Sequence, residues 1–153
     1  MRFIADAMLG TLAKWLRVLG FDTVFAKGLD DSEILEMAIA ENRIILSRDM
    51  ELCGRKADSL YVAATGLDEQ IKQVVSLHPP VESEVLSRCL ECNSVLMKLT
   101  REEASGKVQE SILARHSEFW TCGICNKYYW PGTHWKAMRM RAESIISSRN
   151  NPR

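Results

Sequence analysis

Four cysteines with two identical spacings carry the clearest chemistry in this chain of 153 residues. Cys89 and Cys92 form one Cys-x-x-Cys pair, and Cys122 and Cys125 form a second after 29 intervening residues. Each such turn directs two sulfur atoms to one point, so two turns complete a tetrahedral four-sulfur site for Zn²⁺. Thiolates favour Zn²⁺ or iron over hard cations, and two disulfides would be unusual in a cytosolic chain. We therefore expect a structural Zn²⁺, with a redox or iron site as the alternative. The fifth cysteine, Cys53, is expected to be a free, buried thiol.

Three carboxylates form the second candidate site. Asp6 follows an apolar strand, Asp31 begins a helical pattern, and Asp49 follows the strand after that helix. The helix from Asp31 to Asn42 rises ~18 Å, at ~1.5 Å per residue. The returning strand, residues 44–48, covers ~16 Å. The two ends of this segment should therefore meet at the carboxyl edge of a sheet, where open α/β folds bind their ligands.

Crowded carboxylates repel one another, and a divalent cation removes that cost. All the ligands are hard oxygen atoms, so Mg²⁺ or Mn²⁺ is the expected ion. Such an ion can activate water and stabilise charge at a phosphoryl group, as in nucleases. The alternative is that these acids are separate helix caps and surface residues, with Asp31 or Ser32 as the N-cap of the helix.

The order of elements that would position these acids predicts an α/β fold. Apolar strands and amphipathic helices alternate through the first 78 residues as β-α-β-α-β-(α)-β-α, which predicts a mostly parallel sheet with helices on both faces. Leucines at positions 9, 12, 16 and 19 form one buried helical face, with Lys14 and Arg17 on a more exposed face. The chain has no glycine-rich phosphate loop and no Ser-His-Asp arrangement in this half, which argues against nucleotide-cofactor chemistry and serine hydrolysis.

The sequence changes character at His78-Pro79-Pro80, which breaks the last helix. We expect an α/β domain at residues 1–78, a linker at 79–88, and a small Cys₄ zinc-ribbon domain at 89–153. The ribbon should contain strands near residues 95–99, 118–121 and 127–130, a helical insertion between 100 and 117, and a basic C-terminal helix.

The second half has features suited to nucleic acid. Residues 1–78 carry a formal net charge of −3, and residues 79–153 carry +3. Six of the eleven aromatic residues lie between positions 119 and 135. Some of them should form the ribbon's core, and the others could stack on unpaired bases. His134 is expected to lie at the start of the last helix. The candidate RNA contacts are Lys14, Arg17, Arg48, Lys127, Lys136, Arg139 and Arg141.

No apolar run is long enough to span a membrane, and an acid at position 6 argues against a signal peptide. These observations predict a cytoplasmic protein that does not enter a membrane.

Several blocks of the sequence resemble one nuclease family. Residues 31–49, which end in Ser47-Arg48-Asp49, resemble the latter half of a PIN-domain ribonuclease motif. Together with residues 8–17, the two cysteine pairs and residues 129–135, they resemble the "Mut-seven C-terminal" RNase domain family, a PIN-like domain followed by a zinc ribbon. This resemblance covers nearly the whole chain.

The resemblance implies a metal-dependent endoribonuclease that leaves a 5′-phosphate and a 3′-hydroxyl. Asp6, Asp31 and Asp49 match the acids that would hold Mg²⁺ or Mn²⁺. PIN nucleases usually carry a further acid between the first and third of these, but the helix from Met8 to Leu19 contains no carboxylate. The candidates for that position are Asp30, Glu33 and Asp68. The alternative function is a catalytically inert RNA-binding adaptor, and a toxin-like nuclease held by a protein partner is a weaker third reading.

Overall fold

The computed structural model describes the backbone of residues 1–150 and the side chains of residues 1–148. Four short strands form a parallel sheet in the order β2-β1-β3-β4. Their bounds are Arg2–Ala5 (β1), Asp22–Phe25 (β2), Ile44–Ser47 (β3) and Ser59–Tyr61 (β4). The strand order reverses direction between β1 and β3, so the fold has a switch point at the carboxyl ends of these two neighbouring strands.

Helices cover both faces of this sheet. They are α1 (Gly10–Val18, after a 3₁₀ turn at Ala7–Leu9), α2 (Asp31–Ala40), α3 (Met50–Gly54) and α4 (Leu67–Leu77). Phe3 and Ala5 pack in the hydrophobic cluster with α1 and α4, whereas Ile4 packs in the cluster with α2 and α3. This alternation is what a strand buried on both faces requires. The predicted fold class is confirmed: an α/β fold with a parallel sheet, consistent with a PIN-like domain, and a cysteine cluster near the C-terminus.

The second half forms a small antiparallel sheet with a long helix. Strands β5 (Met97–Leu99), β6 (Phe119–Thr121) and β7 (Tyr128–Tyr129) are ordered β5-β6-β7. The predicted helical insertion consists of two short helices, α5 (Arg101–Ala104) and α6 (Glu110–Arg115). Helix α7 (Thr133–Asn150) ends the described chain.

The segment between the two halves is part of the packed structure. Gly20 ends the first helical region at φ +89°, and a Cβ added there would lie 2.5 Å from the Glu84 carbonyl oxygen. The close approach of the two backbones therefore requires glycine at position 20. The Leu86 backbone N–H donates to the Val18 carbonyl oxygen at 2.8 Å. Buried side chains from both halves belong to one hydrophobic cluster, which includes Phe3, Leu16, Cys89 and Trp135. The predicted division at residues 78 and 89 remains a prediction about independent units.

No helix in the part of the chain described by the structure is both long enough and apolar enough to cross a membrane.

Candidate active site and metal centre

The four cysteine sulfurs lie at one point between the two ribbon turns. Ligand atoms of Cys89, Cys92, Cys122 and Cys125 all lie within 4.8 Å of one another, and the sulfurs of Cys92 and Cys122 are 3.4 Å apart. Sulfur atoms bound to one Zn²⁺ at ~2.3 Å would be ~3.8 Å apart in a tetrahedron. The four soft donors and their separation therefore fit Zn²⁺, and because all four positions come from the protein, such an ion would be structural.

Neighbouring polar groups favour thiolates in this cluster. Burial disfavours ionisation of Cys122, but hydrogen bonds from Ser94 and from the amides of Cys125 and Ile124 outweigh it and lower its pKa to about 6. The Ser94 hydroxyl also contacts Cys92 Sγ at 3.1 Å. By contrast, a hydrogen bond with Cys92 raises the pKa of Cys125 to about 12. Repulsion between neighbouring sulfurs thus keeps protons on part of the cluster, and a bound cation would displace them.

An asparagine follows each cysteine pair and completes the turn. Asn93 and Asn126 have φ values of +72° and +53°, and each backbone N–H donates at 2.9 Å to the carbonyl of the first cysteine in its pair. The motif is therefore Cys-x-x-Cys-Asn in both turns. Asparagine tolerates this left-handed conformation better than most residues. The repeated asparagine is a sequence signal that the cysteine spacing alone does not use.

The first cysteine turn is attached to the parallel sheet through Arg17. The Arg17 side chain is 6% exposed, and it donates to the carbonyl oxygens of Thr23 (2.9 Å), Leu90 (2.8 Å) and Glu91 (2.9 Å). Burial lowers the pKa of Arg17, although the nearby Cys89 and Cys92 oppose that shift. The prediction that Arg17 lies on an exposed face is wrong, because the cysteine turn covers this side chain. Its contact with RNA stays a prediction.

Asn93 and Asp22 add a second connection between the ribbon and the sheet. The amide oxygen of Asn93 accepts from the Thr23 backbone N–H at 2.9 Å, and its amide nitrogen donates to Asp22 at 2.7 Å. Asp22 also accepts from Arg43 at 2.7 Å. Burial disfavours the charged form of Asp22, but the hydrogen bonds from Arg43 and Asn93 outweigh it and hold its pKa below the usual value. The ribbon thereby satisfies backbone and carboxylate groups along the outer edge of β2.

Asp6 and Asp49 follow β1 and β3 at the switch point of the sheet. Asp6 is 8% exposed, and one of its oxygens accepts from the Met8 backbone N–H at 2.9 Å. Its other oxygen accepts from the Ser47 hydroxyl and from the Arg48 backbone N–H at 3.2 Å. Ser47 Oγ also accepts from the Asp49 backbone N–H at 2.9 Å. One buried serine hydroxyl thus links the Asp6 carboxylate to the backbone of Asp49.

The Asp49 carboxylate caps the short helix that follows it. Its Oδ1 accepts from the backbone N–H groups of Glu51 (2.7 Å) and Leu52 (3.3 Å). The Cys53 thiol lies beside the same acids, and burial followed by the negative charge of Asp6 raises its pKa. Cys53 is a free thiol, as predicted, but it is half-buried rather than buried.

The segment around Asp31 differs from the prediction at the helix start. The N-cap of α2 is Asp30, not Asp31 or Ser32: the Asp30 side chain accepts from two backbone N–H groups, and the Glu33 carboxylate accepts from the Asp30 backbone N–H. This reciprocal capping box occupies the two candidate acids Asp30 and Glu33. Asp31 lies in the first turn of α2, where it is exposed and forms an ion pair with Arg55 at 3.9 Å.

The three predicted catalytic acids are not equally close. Among the residues described by the structure, the four cysteines are the one group of three or more candidate ligands within 4.8 Å of one another. Ser47 links the Asp6 carboxylate to the backbone of Asp49, whereas Asp31 forms an ion pair with Arg55. The remaining candidate, Asp68, forms an ion pair with Arg141, whose guanidinium also lies 4.3 Å from the ring centre of Trp15.

The other predicted RNA contacts lie on the surface or near it. Lys14 and Lys127 both form ion pairs with Glu91, at 3.5 and 3.8 Å. Arg48 is half-buried, and Lys136 is exposed. Neither of them forms an ion pair with the residues that the structure describes. Arg139 is paired with Glu143 one helical turn later, at 3.9 Å.

Comparison with known proteins gives one match. A family model described as Mut7-C RNAse domain matches residues 1–142, which is nearly the whole chain. No curated protein and no solved structure matches the chain.

Proposed function

Because the chain belongs to the Mut7-C RNAse domain family, we propose that it is a ribonuclease that hydrolyses RNA phosphodiester bonds at the carboxyl edge of its parallel sheet. The observation that carries this proposal is the pairing of Asp6 and Asp49 at the switch point. These acids follow adjacent strands, and the Ser47 hydroxyl donates to the Asp6 carboxylate and accepts from the Asp49 backbone N–H. Open α/β sheets bind their ligands at such a point.

Divalent metal dependence is part of this proposal. Carboxylate oxygens suit Mg²⁺ or Mn²⁺, and Mg²⁺ usually retains several waters while one or two carboxylates bind it directly. Asp6 and Asp49 would hold such an ion, with Asp31 reaching it through water. Only one oxygen of Asp49 accepts hydrogen bonds from the described residues, so the other is free to bind. A bound ion would supply an activated water and stabilise charge on the phosphoryl group.

The protein's own groups would orient the acids and the RNA. Ser47 and two backbone amides hold the Asp6 carboxylate in place, so this acid loses little conformational freedom when it binds an ion. Arg48 directly precedes Asp49, and its backbone N–H donates to Asp6. Its guanidinium is suited to a phosphate contact. The zinc ribbon and its basic residues would position the strand through charge and stacking.

The test uses Mn²⁺-dependent cleavage of a closed circular single-stranded RNA, which only internal cleavage can open. Asp49→Asn should abolish this activity, because it removes a charged ligand while retaining an oxygen that can cap α3. Glu51→Gln is the matched control, since Glu51 is an exposed acid in the first turn of the same helix and should have no effect. Unchanged cleavage by Asp49→Asn would refute the assignment, and cleavage of linear RNA alone would refute the endonuclease mode.

An RNA-binding adaptor without catalysis is the second candidate. The observation that favours it is the Asp31–Arg55 ion pair, which neutralises one of the three acids, together with an α1 helix that carries no carboxylate. This function predicts salt-dependent RNA binding by the wild-type protein. It further predicts that no RNA is cleaved at any Mg²⁺ or Mn²⁺ concentration.

A further inference from the structure

An open groove of about 400 Å³ lies on the ribbon between β7 and the first turns of α7. Its lining is mostly apolar and is dominated by aromatic rings. It includes Tyr128, Tyr129, Trp130, His134, Trp135 and Met138. Small-molecule sites are typically clefts of ~300–1,000 Å³ that are lined by hydrophobic and aromatic side chains.

The floor of this aromatic groove is held rigidly. Trp135 is 6% exposed, and its ring stacks on Trp120 with centroids 5.0 Å apart and an interplanar angle of 16°. Tyr129 packs against Trp135 at 6.0 Å, and its hydroxyl lies 3.2 Å from Cys89 Sγ in the metal centre. Tyr128 and Trp130 flank Tyr129 in sequence and are half-buried, and neither stacks on another ring among the described residues. The ribbon core therefore accounts for Trp120, Tyr129 and Trp135, but not for the open faces of Tyr128 and Trp130.

The charge around the groove favours a ligand that carries phosphates. Residues 119–142 contain four basic residues and no acidic residue. Lys136 is exposed one turn into α7, and His134 is exposed at the groove itself. Three of these cations are paired with acids from outside this stretch, Lys127 with Glu91, Arg139 with Glu143 and Arg141 with Asp68, whereas Lys136 forms no ion pair with the described residues. A nucleotide would use both the rings and the Lys136 cation, which an apolar peptide would not need.

We propose that the aromatic groove binds an unpaired nucleobase of the RNA substrate, with Trp130 and Tyr128 as the stacking faces. This proposal rests on the proposed ribonuclease function, and it adds a base-binding subsite outside the acidic edge. Helix α7 connects the two places. Arg141 lies eight residues after Thr133, ~12 Å along the helix, and contacts Asp68 in the first turn of α4. The first turn of α4 follows β4 at the carboxyl edge of the sheet.

The experiment measures the affinity of a fluorescent hexanucleotide of single-stranded RNA by anisotropy, in a buffer without Mg²⁺ or Mn²⁺. A hexanucleotide of the same length and charge with abasic sugars is the comparison ligand. We expect the wild-type protein to prefer the base-bearing strand by roughly 5- to 100-fold, as base–aromatic stacking provides in other proteins. Trp130→Ala should lose most of this preference, and Trp130→Phe should retain most of it.

Two variants and one further measurement separate a groove effect from misfolding. Gly132→Ala keeps every ring, but its new methyl group would lie 3.1 Å from Trp130 Nε1 and should reduce the preference by moving the indole. Tyr61→Ala removes an exposed aromatic from β4, outside the groove, and should leave the preference intact. The zinc content of each variant reports whether the ribbon is folded.

Equal affinity of the wild-type protein for both strands would overturn the proposal, as would a full preference in zinc-loaded Trp130→Ala. A change in oligomeric state of that variant with unchanged RNA binding would identify the groove as an interface between copies and would also overturn it. Asp49→Asn should lose cleavage and keep the base preference. Failure of the base-binding site therefore remains distinguishable from failure of the proposed ribonuclease function.

Discussion

Replacing Arg17 by methionine tests whether the ribbon is held on the sheet by this one buried cation. Methionine fills the space of the aliphatic stem but removes the guanidinium. Three carbonyl oxygens then lose their donor, at distances of 2.8 to 2.9 Å in the wild-type protein. A hydrogen bond to a charged group contributes ~1.5–3 kcal/mol, but the carbonyls near the surface regain water. We therefore expect a loss of about 3 kcal/mol in the free energy of unfolding.

Such a loss lowers the Tm by about 6–12 °C in a chain of this size. The affinity of the four cysteines for Zn²⁺ should fall as well. Arg17 holds the backbone of the first cysteine turn, and its positive charge attracts the negative charge of Cys89 and Cys92. The assays are thermal denaturation followed by circular dichroism and Zn²⁺ competition with a chromogenic chelator. Both quantities should fall together in Arg17→Met.

Lys14→Met is the matched control for that variant. Lys14 lies on the same helix and forms an ion pair with Glu91, in the same cysteine turn, but its side chain is 53% exposed. Exposed ion pairs contribute less than ~1 kcal/mol, so this variant should remain close to the wild-type protein. Equal Tm values for Arg17→Met and Lys14→Met would refute the reasoning, because they would show that the buried guanidinium contributes no more than a surface charge.

Two further predictions concern the ends of β3 and β2. Ser47→Ala should raise the Mn²⁺ concentration needed for half-maximal RNA cleavage by about 10-fold, because the charge-assisted hydrogen bond that orients Asp6 is lost. An unchanged metal titration would show that Ser47 does not position this acid. The Asp22 pKa is held below its usual value, so this carboxylate binds fewer protons in the folded state than in the unfolded state. The resulting stability is present above pH ~4 and is lost as the pH falls below that value. Asp22→Asn should therefore flatten the acid limb of urea midpoints measured between pH 6 and pH 3, and an acid limb as steep as that of the wild-type protein would contradict the assignment.

Local patterns predicted most of the fold correctly because the information lies within a few residues. The apolar strands, the leucine spacing of α1 and the two cysteine pairs each specify an element or a site from adjacent positions, and the structure contains them. The strands that precede Asp6 and Asp49 are adjacent and parallel, which places their carboxyl ends at one edge, and the role of these acids as metal ligands stays a prediction.

The errors came from contacts between distant segments. Helical periodicity places Arg17 beside Lys14, but the turn at residues 89–92 covers only Arg17, and no pattern near position 17 indicates that contact. The N-cap moved by one residue because the Asp30–Glu33 capping box competes with caps at Asp31 or Ser32. Backbone geometry decides which residue caps a helix. Because two acids and a serine that can all act as caps are adjacent in the sequence, residue type alone does not identify the N-cap.

Helix α1 connects the two chemical centres of this protein. It follows the turn in which the Met8 amide donates to Asp6, and its last turn holds Arg17 against the first cysteine pair. Its nine residues span ~13.5 Å, so a cation at the sulfur cluster is too far away to touch a phosphate at Asp6. The two centres also select different ions, since four thiolates favour Zn²⁺ and carboxylates favour Mg²⁺ or Mn²⁺. A metal at the cysteines would therefore act on the acidic edge indirectly, through the packing of α1, of strand β2 beside it and of α7, whose Arg141 contacts Asp68. This arrangement is consistent with a structural role for the sulfur cluster, whose buried cysteines belong to the same hydrophobic core as the parallel sheet.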